Sequence, residues 1–224
     1  DEGINAWHTW VPEVDHAAAR VGKIVGAPAG TVTMATNVSQ IQALVASCLD
    51  YADRPKVVLS SLEFPSVSYV WNEERRRGAE VVMIDSDDGI HLDLDRFLAA
   101  IDERTAIVPI SHVLFRSATI TPVKQIVARA HEVGALVLLD CYQSTGTVPF
   151  DVVELDVDLA CGGSVKWLCG GPGAAYLYVR RDRIAELAPR NTGWFGHEAP
   201  FAFTMPDQRY APSIHRFCAG TWAI

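Results

Sequence analysis

The amino-acid sequence predicts an α/β fold in which helices cover both faces of a mainly parallel β-sheet. Short apolar runs typical of buried strands alternate along the chain with stretches of helical periodicity. These runs do not alternate between apolar and polar residues, which indicates that both faces of each strand are covered. A hydrophobic content of 49% over 224 residues is enough for one substantial core.

The elements follow in a regular order along the chain. The polar residues 34–40 lead into an apolar helix, and strand-like runs then occupy residues 56–60, 80–84, 106–110 and 135–139. Residues 122–133 carry apolar side chains at helical spacing, and Gly134 stands where a helix C-cap glycine is expected. The pattern weakens after about Arg190, so we expect the chain to leave the sheet there.

Composition excludes several classes of protein. The net charge of -8 argues against a nucleic-acid-binding protein, which needs a basic face. No signal peptide or membrane-spanning stretch is visible, and five scattered cysteines without a CxxC pair indicate reduced thiols and no metal site. We therefore expect a cytoplasmic protein. Both ends stop abruptly, so we also expect the sequence to be incomplete.

Lys166 is the most distinctive of only four lysines. Lys23, Lys56 and Lys124 have ordinary explanations as surface residues of helices or a strand start. Lys166 lies within residues 162–173, among small residues and without a charged neighbour. Partial desolvation there would lower its pKa and suit an amine that attacks a carbonyl. The alternative is a lysine on an ordinary glycine-rich turn.

Asp140 ends a strand-like run, and ligands of parallel sheets bind at the carboxyl ends of strands. A carboxylate at that point can keep a pyridine nitrogen protonated, although capping of the next turn is an alternative. Gln143 is either a donor to a ring oxygen or a polar loop residue. Phe64, also beyond a strand, is placed to stack on a flat ring or to join the core.

Residues 36–39 precede an apolar helix. The free N–H groups and the dipole at a helix N-terminus favour a phosphate, although serine and threonine are also common N-caps.

Three motifs together resemble the class V aminotransferase family of fold-type I pyridoxal 5'-phosphate (PLP) enzymes. They are Leu-Leu-Asp-Cys-Tyr-Gln-Ser-Thr-Gly at 138–146, Ser-Val-Lys-Trp at 164–167 and Gly-Gly-Pro-Gly at 170–173. The resemblance implies a PLP-binding large domain over residues 1–190 and a segment at 191–224 that leads toward a small C-terminal domain. From this resemblance we expect that small domain and an N-terminal arm to be missing from this sequence.

The resemblance also implies a role for each matching residue. Lys166 matches the lysine that forms the internal aldimine, and Asp140 matches the partner of the pyridine nitrogen. Gln143 matches the residue near the ring hydroxyl, and Phe64 matches the stacking aromatic. The positions that match phosphate-binding residues are Ala35, Thr36 and Ser164.

The C-terminal part is similar to kynureninases within that family. The likeness lies in residues 193–197, 201–203 and 216–221, and it implies that Trp194 and Thr221 reach the cofactor phosphate of a neighbouring subunit in a homodimer with shared active sites. Three positions depart from the kynureninase pattern: Val67 replaces an aspartate, Val165 replaces a tyrosine, and Gln143 replaces a histidine, as in cysteine desulfurases.

The resulting hypothesis is a PLP-dependent enzyme that acts on an amino acid with kynureninase-like or C–S/β-lyase-like chemistry. The alternatives are an aminotransferase or cysteine desulfurase of the same family, or a non-catalytic relative that acts as a binding or structural partner. A nicotinamide-dependent oxidoreductase is disfavoured because no GxGxxG turn follows the first strand.

Overall fold

A computed structural model describes residues 6–203 and 207–222, in which one seven-stranded sheet is flanked by helices. The strands are β1 Val32–Ala35, β2 Lys56–Ser60, β3 Glu80–Ile84, β4 Thr105–Ser111, β5 Leu136–Asp140, β6 Leu159–Gly163 and β7 Ala175–Val179. The α-helices are α1 Trp7–Ile24, α2 Val38–Ser47, α3 Pro65–Glu73, α4 Leu94–Ala100, α5 Val123–Glu132 and α6 Arg181–Glu186.

The sheet has the strand order β1-β7-β6-β5-β4-β2-β3. Neighbours from β3 to β6 are parallel, whereas β7 runs antiparallel to both β1 and β6. The predicted α/β class with a mainly parallel sheet is confirmed. Because β2, β4, β5 and β6 point the same way, the residues that follow them meet at one edge of the sheet.

The two faces of the sheet support separate hydrophobic cores. On one face, Trp71 of α3 packs with residues of α2 and with Leu138 of β5. On the other face, Phe97 of α4 and Ile126 of α5 pack with Leu139 of β5. Consecutive strand residues point to opposite faces, so the run Leu138-Leu139 serves both cores, and an uninterrupted apolar run is required at the sheet centre.

Several predicted elements agree with the structure. The runs at 56–60 and 80–84 are β2 and β3 with the predicted bounds, and the runs at 106–110 and 135–139 lie within one residue of β4 and β5. Gly134 has a φ of 73°, the left-handed conformation expected directly after α5. Beyond α6 the described residues form short 3₁₀-helices at Trp194–Gly196, Pro200–Ala202 and Ile214–Phe217.

The interpretation of Lys56 as a surface residue was wrong. Lys56 is buried at the start of β2, and its ammonium group binds the Asp102 carboxylate and donates to the Ala100 carbonyl at 3.3 Å. The physical reason is that β2 lies between β3 and β4, which cover even its first residue.

Two further features bear on the class of protein. The five cysteines are unpaired thiols, and four of them are wholly or partly buried. None of the helices in the described ranges combines the length and the hydropathy needed to cross a bilayer.

Candidate active site

A cavity of about 280 Å³ opens at the carboxyl edge of the sheet, where the sequence predicted a site. Its walls come from the first turns of α2 and α3, the ends of β4 and β5, and the turn after β6. Phe64, Asp140, Gln143 and Lys166, which lie far apart in the sequence, all line it. A mainly apolar cavity with a few converging polar groups is typical of a cofactor site.

Asp140 is the last residue of β5 and is 6% exposed. Its Oδ1 accepts a hydrogen bond of 2.9 Å from the Tyr142 amide. Burial raises the pKa of this carboxyl to about 6, while the Tyr142 amide and the positive charge of Lys166 act in the opposite direction. The carboxyl is therefore mostly ionised at neutral pH and can accept a hydrogen bond from a protonated ring nitrogen.

Lys166 lies in the turn after β6 and is half-buried. Its Nζ lies 4.9 Å from the centroid of the Tyr142 ring and 5.8 Å from that of Phe64. Burial lowers the pKa of the Lys166 ammonium, and the negative charge of Asp140 partly offsets this effect. A lysine with a lowered pKa supplies more of the neutral amine that attacks a carbonyl.

Tyr142 contacts Lys166 because Gly163 leaves room for its ring. A Cβ atom on Gly163 would lie 2.4 Å from Tyr142 Cε2, so no side chain fits there. The neighbouring Gly162 accommodates the Tyr176 ring in the same way, with a corresponding distance of 2.6 Å. The glycines that end β6 thus allow two tyrosines to pack against its backbone, and sequence reasoning did not identify Tyr142 as a site residue.

Phe64 forms an aromatic wall of the cavity together with Phe115. Phe64 is the N-cap residue of α3, where Pro65 at the first helical position fixes the turn. The two rings pack edge to face, with centroids 5.2 Å apart and an interplanar angle of 83°. Phe64 remains 45% exposed, so the ring is available to stack on a planar ligand rather than buried in the core.

The first turn of α2 faces the cavity through Asn37, Val38 and Ser39. The Asn37 side chain caps the helix by accepting a hydrogen bond of 2.9 Å from the Gln40 amide. Positive partial charge at a helix N-terminus favours an anion at this wall.

The residues predicted to bind a phosphate occupy neighbouring positions rather than the cavity wall itself. Ala35 and Thr36 line an adjacent recess, and the Ser164 hydroxyl donates to the Gly171 carbonyl at 2.7 Å. Their predicted role in phosphate binding therefore stays a prediction.

Trp194 and Thr221 also lie away from the walls of the Lys166 cavity. Trp194 belongs to an aromatic cluster, in which its ring centroid is 5.6 Å from that of Trp7 and 5.9 Å from that of Phe203. Thr221 borders the recess that Thr36 lines. Their predicted contact with a neighbouring subunit stays a prediction.

Two apolar residues mark differences from the kynureninase pattern. Val67 and Val165, which stand in place of an aspartate and a tyrosine, both line the cavity. The polar contacts expected of those two residues are thus replaced by apolar surface in this chain.

Comparison with known proteins gives a consistent result. The sequence profile of the family described as Aminotransferase class-V matches residues 8–224. The chain is 33% identical to the uncharacterized aminotransferase YcbU of Bacillus subtilis (strain 168), over 100% of this chain and 58% of that protein. It is 30% identical to the kynureninase of Pseudomonas fluorescens, over 99% of this chain and 54% of that enzyme. The chain thus spans little more than half the length of these relatives.

Solved structures show the same fold. A mutant of C-DES with glycine covalently linked to its PLP cofactor superimposes with a TM-score of 0.86 at 20% identity, covering 98% of this chain and 58% of that chain. The cysteine desulfurase of Thermococcus onnurineus NA1 gives a TM-score of 0.83 at 22% identity, covering 99% of this chain and 55% of that chain.

Proposed function

This chain belongs to the class V aminotransferase family, and from that premise we propose that its cavity binds PLP in a PLP-dependent enzyme that acts on an amino acid. The observation that carries the proposal is the convergence of Lys166 and Asp140 on one cavity beside the Phe64 ring. A PLP cofactor needs an amine for covalent attachment, a carboxylate for its ring nitrogen and a flat apolar wall. The chain offers all three at the carboxyl edge of its sheet.

Each residue has a definite task in this proposal. When bound, the cofactor supplies an electron sink for a carbanion at the α-carbon of the substrate. Lys166 would hold the cofactor and would move the α-proton of the substrate. Asp140 would keep a proton on the ring nitrogen, and Gln143 would donate a hydrogen bond to the ring hydroxyl oxygen. Phe64 would provide the stacking surface for the ring, and the N-terminus of α2 would favour the phosphate.

For the reaction itself we propose kynureninase-like or C–S/β-lyase-like chemistry, with an aminotransferase or cysteine desulfurase as the alternative. The likeness of residues 193–197, 201–203 and 216–221 to kynureninases supports the first choice. Gln143 supports the desulfurase branch, and the apolar Val67 and Val165 count against a kynureninase. Incubation of the full-length protein with kynurenine, cystine, cysteine or an amino acid plus a keto acid distinguishes these reactions by their products.

We further propose that the protein works as a homodimer with shared active sites. Trp194 and Thr221 lie away from the cavity of their own chain, which is compatible with a contact to the partner's cofactor. Sedimentation analysis tests the dimer. A Trp194→Ala variant that binds PLP as tightly as the wild type would count against the shared site.

The cofactor proposal is tested by an absorbance spectrum of the purified protein with added PLP, followed by borohydride reduction and peptide mass mapping. We expect a yellow band and a reduced adduct on Lys166. Lys166→Ala should lose both, whereas the matched control Lys124→Ala, which alters an exposed lysine of α5, should keep both. Absence of the band in the full-length protein would refute the proposal and favour a non-catalytic relative.

A further inference from the structure

Glu63 is a buried carboxyl group to which the mechanism above gives no task. It lies in the turn between β2 and α3 and is 3% exposed. Its Oε2 accepts a hydrogen bond of 2.5 Å from the Ser111 hydroxyl, while its buried Oε1 has no hydrogen-bond partner among the described residues. Within the same described ranges, no lysine, arginine or histidine forms an ion pair with it. A carboxylate buried without a counter-ion is costly, so the protonated form is favoured.

Ser111 connects Glu63 to the candidate site. It is the last residue of β4, it lines the cavity, and its Cα pairs with that of Asp140 across the sheet. Burial raises the pKa of Glu63 to about 8, and the negative charge of Asp140 contributes to that rise. Two carboxyl groups therefore share one buried region, where ionising both is unfavourable.

The neighbouring charges decide which of the two keeps the proton. Lys166 stabilises the ionised form of Asp140, whereas no positive charge acts comparably on Glu63. Burial lowers the pKa of His112, the residue after Ser111, so this imidazole is neutral at pH 7. Arg116 borders the recess next to Glu63, but its side chain is exposed to solvent and forms no ion pair with Glu63 among the described residues.

On the basis of the proposed function, we infer that Glu63 is a positioning residue: it retains one proton and holds the Ser111 hydroxyl, which leaves Asp140 as the only carboxylate beside the cofactor ring. Glu63 then acts through Ser111 and Asp140 and touches neither substrate nor cofactor. At alkaline pH the proton leaves Glu63, and a second negative charge appears behind Asp140. That charge should favour the protonated state of the cofactor ring and the protonated state of the Lys166 nitrogen that would hold the cofactor.

The first test needs no cofactor. Between about pH 6 and pH 8, where Asp140 and Glu63 respectively titrate, the folded chain keeps a proton on Glu63 that the unfolded chain releases. The unfolding equilibrium constant should therefore increase by up to about tenfold per pH unit as the pH rises through this window. Glu63→Gln should remove this dependence, whereas the matched control Glu103→Gln, at an exposed glutamate, should retain it. An undiminished dependence in Glu63→Gln would overturn the inference.

The second test uses the PLP-loaded protein. We expect a pH titration of its visible band to show a step near the pKa of about 8 that belongs to Glu63 and that Glu63→Gln lacks. Ser111→Ala should move this step to higher pH, because the Ser111 hydrogen bond lowers the pKa of Glu63. It also provides a second variant should Glu63→Gln fail to fold.

The two tests fail in distinguishable ways. A step that persists unchanged in Glu63→Gln refutes the positioning role. If no visible band forms at all, the proposed function and the positioning role both fall, while the pH dependence of the cofactor-free chain still establishes whether Glu63 holds the proton.

Discussion

A single added methyl group on Gly163 should disturb both the stability of the sheet and the environment of Lys166. In Gly163→Ala the new Cβ would lie 2.4 Å from Cε2, 2.9 Å from Cζ and 3.0 Å from the hydroxyl oxygen of Tyr142. Non-bonded carbon atoms prefer a separation of about 3.5–4.0 Å, so the ring must move by about 1 Å. Because Gly163 pairs with Ala175 inside the sheet, its backbone cannot retreat to absorb the clash.

Overpacking of this kind costs about 1–3 kcal/mol of unfolding free energy. The displaced Tyr142 ring also lies 4.9 Å from Lys166 Nζ, so the reactive amine loses the contact that positions it. A displacement of about 1 Å at a reacting group lowers reaction rates by up to about a hundredfold. We therefore expect the rate of cofactor attachment to Lys166 to fall by up to about this factor.

Urea unfolding and the rate at which the yellow band forms with PLP measure the two effects. Gly171→Ala is the matched control, because a Cβ at Gly171 in the turn after β6 has no atom within 4 Å. If the Gly163 and Gly171 variants show equal stability and equal attachment rates, the packing argument for Tyr142 is refuted.

Three other substitutions give expected outcomes from the same reasoning. Asp158→Asn should lower the free energy of unfolding by about 3–5 kcal/mol, measured in urea. The reason is that the fully buried carboxylate accepts hydrogen bonds from Arg180 Nη2 at 2.8 Å and Arg183 Nε at 3.0 Å. A decrease below about 1 kcal/mol, typical of an exposed ion pair, would contradict this. Burial raises the pKa of Asp140 from 3.8 to about 6, so the folded state retains the proton longer and stability falls as the pH rises between these values. Asp140 should contribute about 3 kcal/mol to this fall, so Asp140→Asn should lose that contribution and keep only the one from Glu63; an identical pH profile in both proteins would refute it. Gly134→Ala should lower the unfolding free energy by about 1–2 kcal/mol, since its φ is 73°, and an unchanged midpoint of thermal unfolding would show that the backbone relaxes.

Much of the sheet was predictable because its central strands are covered on both faces. Such strands need apolar residues at every position, and the runs that became β2, β4 and β5 stand out from their surroundings for this reason. The run of β3 is also apolar, but β3 is an edge strand and only Val81 is buried there. The strands β1, β6 and β7 were not singled out. β6 ends in two glycines, which weaken the local strand signal, and its conformation depends on pairing with β5 and β7.

The principal candidate residues were predictable for a related reason. Asp140 ends a predicted strand and Phe64 follows another, and the carboxyl ends of parallel strands meet at one edge whatever lies between them. Lys166 was predictable on different grounds, since it lies among small residues without a charged neighbour. Tyr142 was not predicted, since its position depends on the missing side chain of Gly163, 21 residues away in the sequence.

Sequence patterns alone thus predicted the class of fold, the edge of the sheet at which the cavity opens, and the amine and the carboxylate that line this cavity. These features follow from local apolar patterning and from the polar residues next to it, both of which are visible within a short stretch of sequence. The burial of Lys56 and the contact of Glu63 with Ser111, which pairs with Asp140, follow from the tertiary fold and not from local sequence. Burial and electrostatic coupling depend on which strands become neighbours, and that arrangement arises from contacts between residues distant in the chain.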